Sequence, residues 1–148
     1  MAELLKIDEL FSLWTKGISL YSKWAAKYKI GYPEMMVLYA LKTREKSTQK
    51  EISENFGLFK QTVNTVVRKL KNENLITFEK SAKDGREKII FLTSEGKIYA
   101  DKLIYPLLNA EKNINKQIGD ERLEQTIETM ELFNLLFEKE FNKVGNEK

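Results

Sequence analysis

The stretch from Ser47 to Gly96 constrains the fold more than any other part of the chain. Thr48 and Glu51 have the spacing of a capping box, in which a threonine hydroxyl accepts a backbone amide and the glutamate carboxylate bonds the threonine amide in return. A helix is therefore predicted to begin at Thr48. Gly57 follows soon after, and glycine is the usual residue at which a helix ends in a left-handed turn. The sequence predicts a short helix with a second helix directly behind it.

The second helix is predicted from Lys60 to Asn72 and has two contrasting sides. Its apolar side should face the core and carries Val63, Val66, Val67 and Leu70 at helical spacing. Its polar side carries Gln61, Thr65 and Arg68, with Asn64 and Lys69 beside them. Glutamine and asparagine can bond adenine edges in a major groove, arginine can bond guanine or phosphate, and threonine can contact a thymine methyl. An ordinary solvated helix face is the alternative, but the elements that follow favour DNA reading.

Two short runs rich in strand-forming residues follow the helix pair. They span Leu75–Lys80 and Lys88–Leu92, and the polar segment between them contains Asp84, Gly85 and Arg86. This pattern predicts a two-stranded hairpin with a basic, flexible tip. A helix-turn-helix with a hairpin beside its second helix is a winged helix, which places that helix in the major groove and the hairpin along the backbone or in the adjacent minor groove. We predict a mainly α fold with a small β-hairpin wing that binds double-stranded DNA.

The order and spacing of these pieces resemble the MarR family of bacterial transcription regulators. The resemblance is carried by Thr48–Ile52, Gly57–Leu58, Gln61–Asn64, Leu70, Leu75–Ile76, Asp84–Arg86 and Leu92–Lys97. It implies that Arg86 reaches the minor groove while Asp84 helps to hold it. A surface turn with a local ion pair, worth little in stability, is the alternative for these two residues. The predicted DNA-binding set is Lys60, Gln61, Thr62, Asn64, Thr65, Arg68, Lys69, Lys83, Asp84 and Arg86.

Phe59 departs from the family pattern, in which a serine commonly stands at the start of the recognition helix. Phenylalanine cannot accept the amides of the first helical turn, so a cap usually worth about 1 kcal/mol is missing or moved. The departure puts in question the phosphate contact that a cap serine would make. The ring either packs locally, which we favour, or contacts a base methyl.

The composition excludes several classes of function. The chain has no cysteine and no histidine, so disulfides, thiolate sensing, imidazole catalysis and zinc ligation by these residues are not available. The sequence contains no nucleophile–base pair, metal-ligand set or glycine-rich phosphate loop, so we predict neither an enzyme nor a cofactor nor a metal site. No apolar run is long enough to span a membrane, and charged residues interrupt the N-terminus, so a cytoplasmic location is expected.

Long helices are predicted on both sides of the winged helix. An apolar stripe of heptad spacing predicts the first from about Leu4 to Lys29, and Pro33 suits the first turn of the next. After the wing, Thr93 and Ser94 offer caps for a long helix, in whose first turn Gly96 permits close packing.

The C-terminal part of the chain is predicted as two helices joined by a turn. Pro106 should bend the first of them because it removes a backbone hydrogen bond. The turn is predicted over Asn115–Asp120, and the last helix should end near Phe141.

The chain is interpreted as one domain with three functional parts and a tail. Residues 1–31 and 97–141 are predicted dimerisation helices, 33–96 the winged-helix DNA-binding region, and 142–148 a frayed tail. The outer helices carry more large apolar side chains than are needed to cover one small winged helix, which indicates a partner surface. The resemblance implies an interlaced homodimer, and two-fold symmetry predicts a pseudo-palindromic operator with half-sites about one helical turn apart. A self-contained monomer is the alternative.

An effector ligand is also implied by the resemblance, between the dimer helices and the winged helix. The candidate lining residues are Trp14, Tyr21, Trp24, Tyr28, Met36 and Tyr39. Aromatic residues at helical spacing more often form plain core, so the prediction is a small apolar or aromatic effector, or none. The lack of cysteine and histidine argues against the peroxide-sensing and zinc-sensing branches of the family.

Two functional hypotheses follow from the sequence. The leading one is a ligand-responsive repressor that binds DNA as a homodimer. The alternative is a winged helix used as a protein-interaction module, which would dock a partner on the polar side of Lys60–Asn72.

Overall fold

The computed structural model describes residues 3–145, and these residues form six helices and a three-stranded sheet. The elements are α1 Lys6–Lys27, α2 Tyr32–Arg44, β1 Lys46–Thr48, α3 Gln49–Phe56, α4 Lys60–Asn72, β2 Ile76–Lys80, β3 Lys88–Leu92, α5 Ser94–Ile118 and α6 Asp120–Val144. The predicted mainly α fold with a small β wing is confirmed. The chain divides into two compact units, one up to Pro106 and one from Leu107 onward.

Helix α2 forms the centre of the first unit. It contacts α1, α3, α4, β1 and β3. Its buried apolar side chains lie on all sides of the helix, as expected for a helix enclosed by other elements. They are Met35, Met36, Val37, Leu38, Ala40 and Leu41. Pro33 lies in its first turn, as predicted.

The predicted two-stranded hairpin is present as β2 paired antiparallel with β3, and a third strand that was not predicted joins it. β1 pairs antiparallel with β3, with Lys46 opposite Phe91, and the strand order is β1-β3-β2. β1 has only three residues, too few for an alternating pattern to be visible in the sequence. β2 begins at Ile76 instead of Leu75, because the Leu75 amide donates to the carbonyl of Leu70 at the end of α4.

The ends of α1 and α5 differ from their predicted positions. α1 runs from Lys6 to Lys27, two residues inside each predicted end. α5 continues to Ile118, so the turn predicted from Asn115 shortens to Gly119, whose φ of 91° favours glycine. Pro106 lies inside the continuous helix, and its bend stays a prediction.

The second unit contains the end of α5 and the whole of α6. α6 extends to Val144, past the predicted end at Phe141, and an ion pair of 2.7 Å between Lys143 and Glu140 supports its last turn. No residue of α6 is buried. The predicted tail reaches residues 146–148, which lie outside the described residues. Across residues 3–145, none of the helices has the combination of length and apolar character needed to cross a bilayer.

Candidate nucleic-acid interface

The first helix of the helix-turn-helix is fixed at its start by the predicted capping box. The Glu51 amide donates to Thr48 Oγ1 at 3.1 Å, and the Thr48 amide donates to Glu51 Oε2 at 2.8 Å. Ser47 Oγ donates to the same carboxylate oxygen at 3.1 Å. The backbone hydrogen bond from Thr48 holds the pKa of Glu51 below its ordinary value, because the bond favours the charged carboxylate.

The turn between α3 and α4 is held by Ser53, a residue that the sequence analysis missed. Gly57 ends α3 in the left-handed region at φ 61°, as predicted. The buried Ser53 hydroxyl donates to the Leu58 carbonyl at 2.6 Å, and the Leu58 amide donates back to the Ser53 carbonyl at 3.1 Å. This pair of bonds sets where α4 begins. Its only sequence signal is a serine directly after the apolar Ile52.

Helix α4, the predicted recognition helix, has one buried side and one exposed side. Val63, Val67 and Leu70 are buried, at 0 to 2% exposure. Four polar residues of the predicted set are exposed: Gln61, Asn64, Thr65 and Arg68. Lys60 is also exposed, whereas Thr62 is half-buried. The Thr65 hydroxyl donates to the Gln61 carbonyl at 2.9 Å, so its proton is used within the helix.

Lys69 differs from the rest of the predicted set because its ammonium group forms an ion pair with another residue of the chain. Lys69 Nζ lies 2.7 Å from Glu34 Oε2, and the Tyr99 hydroxyl donates to Glu34 Oε1 at 3.1 Å. Glu34 is only 6% exposed. The hydrogen bond to Glu34 raises the pKa of Lys69, and burial raises the pKa of Tyr99. This network joins α4 to α2 and α5; its sequence signal was a lone acidic residue in an otherwise apolar helix.

The tip of the wing carries Lys83, Asp84 and Arg86, all exposed. Asp84 Oδ1 accepts the Arg86 amide at 3.0 Å, and the Asp84 carbonyl accepts the Glu87 amide at 3.0 Å. The carboxylate therefore shapes the backbone around Arg86. The Arg86 guanidinium makes no hydrogen bond or ion pair within residues 3–145.

The base of the wing is joined to α4 through Phe78, a contact that the sequence analysis did not predict. Lys71 of α4 and Lys88 of β3 place their Nζ atoms 5.3 Å and 5.2 Å from the centre of the Phe78 ring. At exposed sites, such cation–π contacts contribute about 0.5–1 kcal/mol each. Helix α4 and the wing thus each contribute one further positive charge.

Phe59 is the N-cap residue of α4 and makes no side-chain cap bond. Its side chain is 84% exposed. The favoured interpretation of local packing is therefore wrong, because no part of the described chain covers the ring.

The six candidate effector-lining residues lie in different surroundings. Met36 is buried in the core at 5% exposure, and Tyr39 makes an edge-on contact with Phe56. Trp24 lies on α1 and Tyr28 is the C-cap residue of that helix, and their ring centres are 6.4 Å apart. Trp14 and Tyr21 of α1 are 41% and 36% exposed. Trp24 Nε1 is buried and has no hydrogen-bond partner in the described part of the chain.

Comparison with known proteins shows which family this arrangement resembles. A family model described as MarR family matches residues 28–87, which contain α2, α3, α4 and most of the wing. The organic hydroperoxide resistance transcriptional regulator of Bacillus subtilis is 27% identical over 95 residues, 64% of this chain and 64% of that protein. A MarR family regulator from Neisseria meningitidis has a structure that matches with a TM-score of 0.85 at 27% identity, covering 95% of this chain and 99% of the other. The chain is similar to the MarR family in sequence over residues 28–87 and in fold over nearly its whole length.

Other MarR structures share the fold at greater sequence distance. MarR from Staphylococcus aureus, solved in complex with salicylate and kanamycin, matches with a TM-score of 0.62 at 21% identity, covering 90% of this chain and 91% of that one. The alignment with the Bacillus regulator spans slightly less than two thirds of either protein. This chain has no cysteine, and therefore no thiol with which to react with a peroxide.

Proposed function

We propose that this chain is a MarR family transcriptional regulator, a ligand-responsive repressor that binds operator DNA as a homodimer. Helix α4 lies in the major groove, where Gln61, Asn64 and Thr65 contact base edges and Arg68 bonds guanine or phosphate. The observation that carries the proposal is the joint exposure of these four side chains on a helix whose opposite side is buried.

Charge around α4 and the wing supports contact with phosphate. Residues 58–88 contain eight Lys and Arg against four Asp and Glu, whereas residues 120–148 contain four against eight. Within the described residues, Lys60, Arg68, Lys83 and Arg86 form no ion pair, so their charges are available to a polyanion. Lys69 has another role in this proposal: it holds α4 against Glu34.

The wing is proposed to contact the minor groove through Arg86. Asp84 holds the backbone at the tip, which leaves the long Arg86 side chain to extend away from it. Arginine is suited to a narrow minor groove because the negative potential is enhanced there.

The homodimer is supported by apolar surface in both units. On α1, Phe11 is 57% and Leu13 66% exposed, and on α6, Phe137 is 62% and Phe141 69% exposed. Exposed apolar side chains that repeat along one side of a helix, as Phe137 and Phe141 do four residues apart on α6, usually belong to an interface. A two-fold dimer then requires a pseudo-palindromic operator with half-sites about one helical turn apart.

Fluorescence anisotropy with labelled DNA from upstream of the chain's own gene tests DNA binding. The dissociation constant should rise steeply with salt concentration, because displaced counterions drive the association. Competition with unrelated duplex measures sequence specificity. Binding too weak to distinguish this DNA from the unrelated duplex, at any salt concentration, would favour the protein-interaction alternative.

Arg86→Ala tests the wing. We expect a loss of about 1–3 kcal/mol in DNA binding, or roughly 5- to 150-fold in the dissociation constant, because a groove contact is removed. Lys139→Ala in α6 also removes one positive charge, at a position outside the proposed DNA interface, and serves as the matched control. Equal affinities for the two variants across salt concentrations would refute the assignment of Arg86.

An effector with an apolar or aromatic body and a hydrogen-bond acceptor suits the region around Trp24. Among residues 3–145, its buried indole N–H has no hydrogen-bond partner, and buried donors are normally satisfied. Salicylate, which the Staphylococcus structure carries, is a suitable first probe because it is aromatic and anionic. It should release the DNA, and Trp24→Phe should raise the salicylate concentration required by about threefold to tenfold, since one hydrogen bond is lost. Unchanged release by Trp24→Phe would exclude this residue from the effector site.

A further inference from the structure

Phe59 is an isolated apolar side chain on a polar surface. No large apolar residue within residues 3–145 is more exposed than its 84%. Between Tyr21 and Ile98, it is the one large apolar side chain that is more than half exposed. Among its neighbours in sequence, Asn55, Lys60 and Gln61 are polar and exposed, and the apolar Leu58 is half-buried.

The position of the Phe59 ring is fixed by the backbone on both sides. The bonds between Ser53 and Leu58 hold the preceding turn, and the Phe59 carbonyl accepts the Val63 amide at 3.1 Å. The backbone at Phe59 is extended, with φ −64° and ψ 139°, as is usual for an N-cap residue. The ring therefore projects from a well-defined point at the first turn of the recognition helix.

Phe59 contributes nothing evident to the stability of its own unit. It supplies no cap to α4, and its exposed ring gains little from burial. A protein partner would normally use a contiguous apolar patch, which is lacking around a single ring. A single apolar contact inside a polar groove fits another partner: the 5-methyl group of thymine, which projects into the major groove and is contacted by apolar side chains, phenylalanine among them.

We propose that Phe59 is a specificity-determining residue that contacts the 5-methyl group of a pyrimidine in each operator half-site. The inference rests on the proposed binding of DNA through α4. Recognition helices contact base edges mainly with their N-terminal residues, which is where Phe59 lies. 5-Methylcytosine carries its methyl group at the same ring position as thymine. Phe59 should therefore favour thymine over uracil and 5-methylcytosine over cytosine at this position.

The test combines DNA and protein substitutions. A duplex is first enriched from a random-sequence library by the wild-type protein, and each of its thymines is then replaced by deoxyuridine, which removes only the methyl group. At one symmetry-related pair of positions, wild type should lose roughly fourfold in affinity for each methyl removed, the value of one buried methyl group. At that pair, the deoxyuridine replacement should leave the affinity of Phe59→Ser unchanged. It should lower the affinity of Phe59→Leu by less than that of wild type.

The outcomes separate this inference from the proposed function. Phe59→Ser should fold, because the replaced ring is exposed and serine is a good N-cap residue. If no duplex is enriched, the proposed DNA binding itself fails. If a duplex is enriched and bound in a salt-dependent way, but every deoxyuridine is neutral or the loss persists in Phe59→Ser, the Phe59 proposal alone is overturned. Restoration of affinity by 5-methylcytosine at the same pair would add direct support for it.

Discussion

Individual hydrogen bonds fix the start of the helix-turn-helix. Glu51 receives bonds from the Thr48 amide and from the Ser47 hydroxyl, and both bonds favour its charged form. Because the pKa of Glu51 is lower in the folded chain than in the unfolded chain, the stabilisation is present above the ordinary glutamate pKa of about 4.3. It is lost as pH falls through the folded value.

Glu51→Gln isolates the charge in this capping box, because glutamine can still bond the Thr48 amide. At pH 7 we expect a destabilisation of about 0.5 kcal/mol, a small value because the side chain is exposed to solvent. The difference from wild type should shrink as pH falls below the ordinary glutamate pKa and vanish once the folded wild type is protonated at Glu51. Urea unfolding at pH 7 and at successively lower pH measures it. A difference that stays constant with pH would mean that the charge has no part in the cap.

At the scale of elements, α4 is attached to its surroundings by charged groups as well as by its apolar side. Glu34 of α2 accepts bonds from Lys69 of α4 and Tyr99 of α5, so one buried carboxylate joins three helices. Removing one partner of such a group costs more than the pair itself contributes, because a buried charge is left behind.

Lys69→Met should destabilise the first unit by about 1–3 kcal/mol, since Glu34 would keep only its bond from Tyr99. The estimate lies below that for a fully buried pair because the Lys69 side chain is 51% exposed. Adding Glu34→Gln should recover part of the loss by removing the buried charge. Thermal unfolding of the single and double variants forms the measurement. If the loss of stability in the double variant equalled the sum of the losses in the two single variants, the proposed coupling between Lys69 and Glu34 would be contradicted.

Elements with local signals could be predicted from the sequence, and those that depend on distant partners could not. Val63, Val67 and Leu70 repeat at helical spacing, so the buried side of α4 was predictable, and a capping box identifies itself within four residues. β1 exists because it pairs with β3 more than forty residues later, and Glu34 is buried because two other helices supply its donors. Neither partner can be read from the local sequence. The exposure of Phe59 likewise depends on which other elements lie near it in the fold, and the local sequence does not specify them.

At the scale of the whole molecule, each unit has apolar surface that its own residues leave uncovered. Not one residue of α6 is buried, although Leu132, Leu136 and Phe137 lie along it at 50–62% exposure. Such a helix gains little from folding in isolation, since most helical stability in proteins comes from packing an apolar side. A second copy of the chain is the partner that the proposed function supplies.

Phe137→Glu should shift the proposed homodimer toward monomer. An interface aromatic residue typically contributes about 2 kcal/mol or more, so the dissociation constant should rise roughly thirtyfold, and operator affinity should fall with it. Gln125→Glu introduces the same charge at an exposed polar position of α6 and serves as the control. Sedimentation velocity at micromolar concentration measures the change. A wild-type monomer under these conditions would count against the dimer.

The joint between the wing and α5 limits how the first unit can deform. The Thr93 hydroxyl donates to the Asn74 carbonyl at 2.7 Å and accepts the Gly96 amide at 3.0 Å. A Cβ atom at Gly96 would overlap the carbonyl group of Leu75, so no slack separates the two segments. We therefore expect a displacement of the first turn of α5 to displace the end of α4 by a similar distance. The two helices should move together as one rigid element, held by the hydrogen bonds of Thr93.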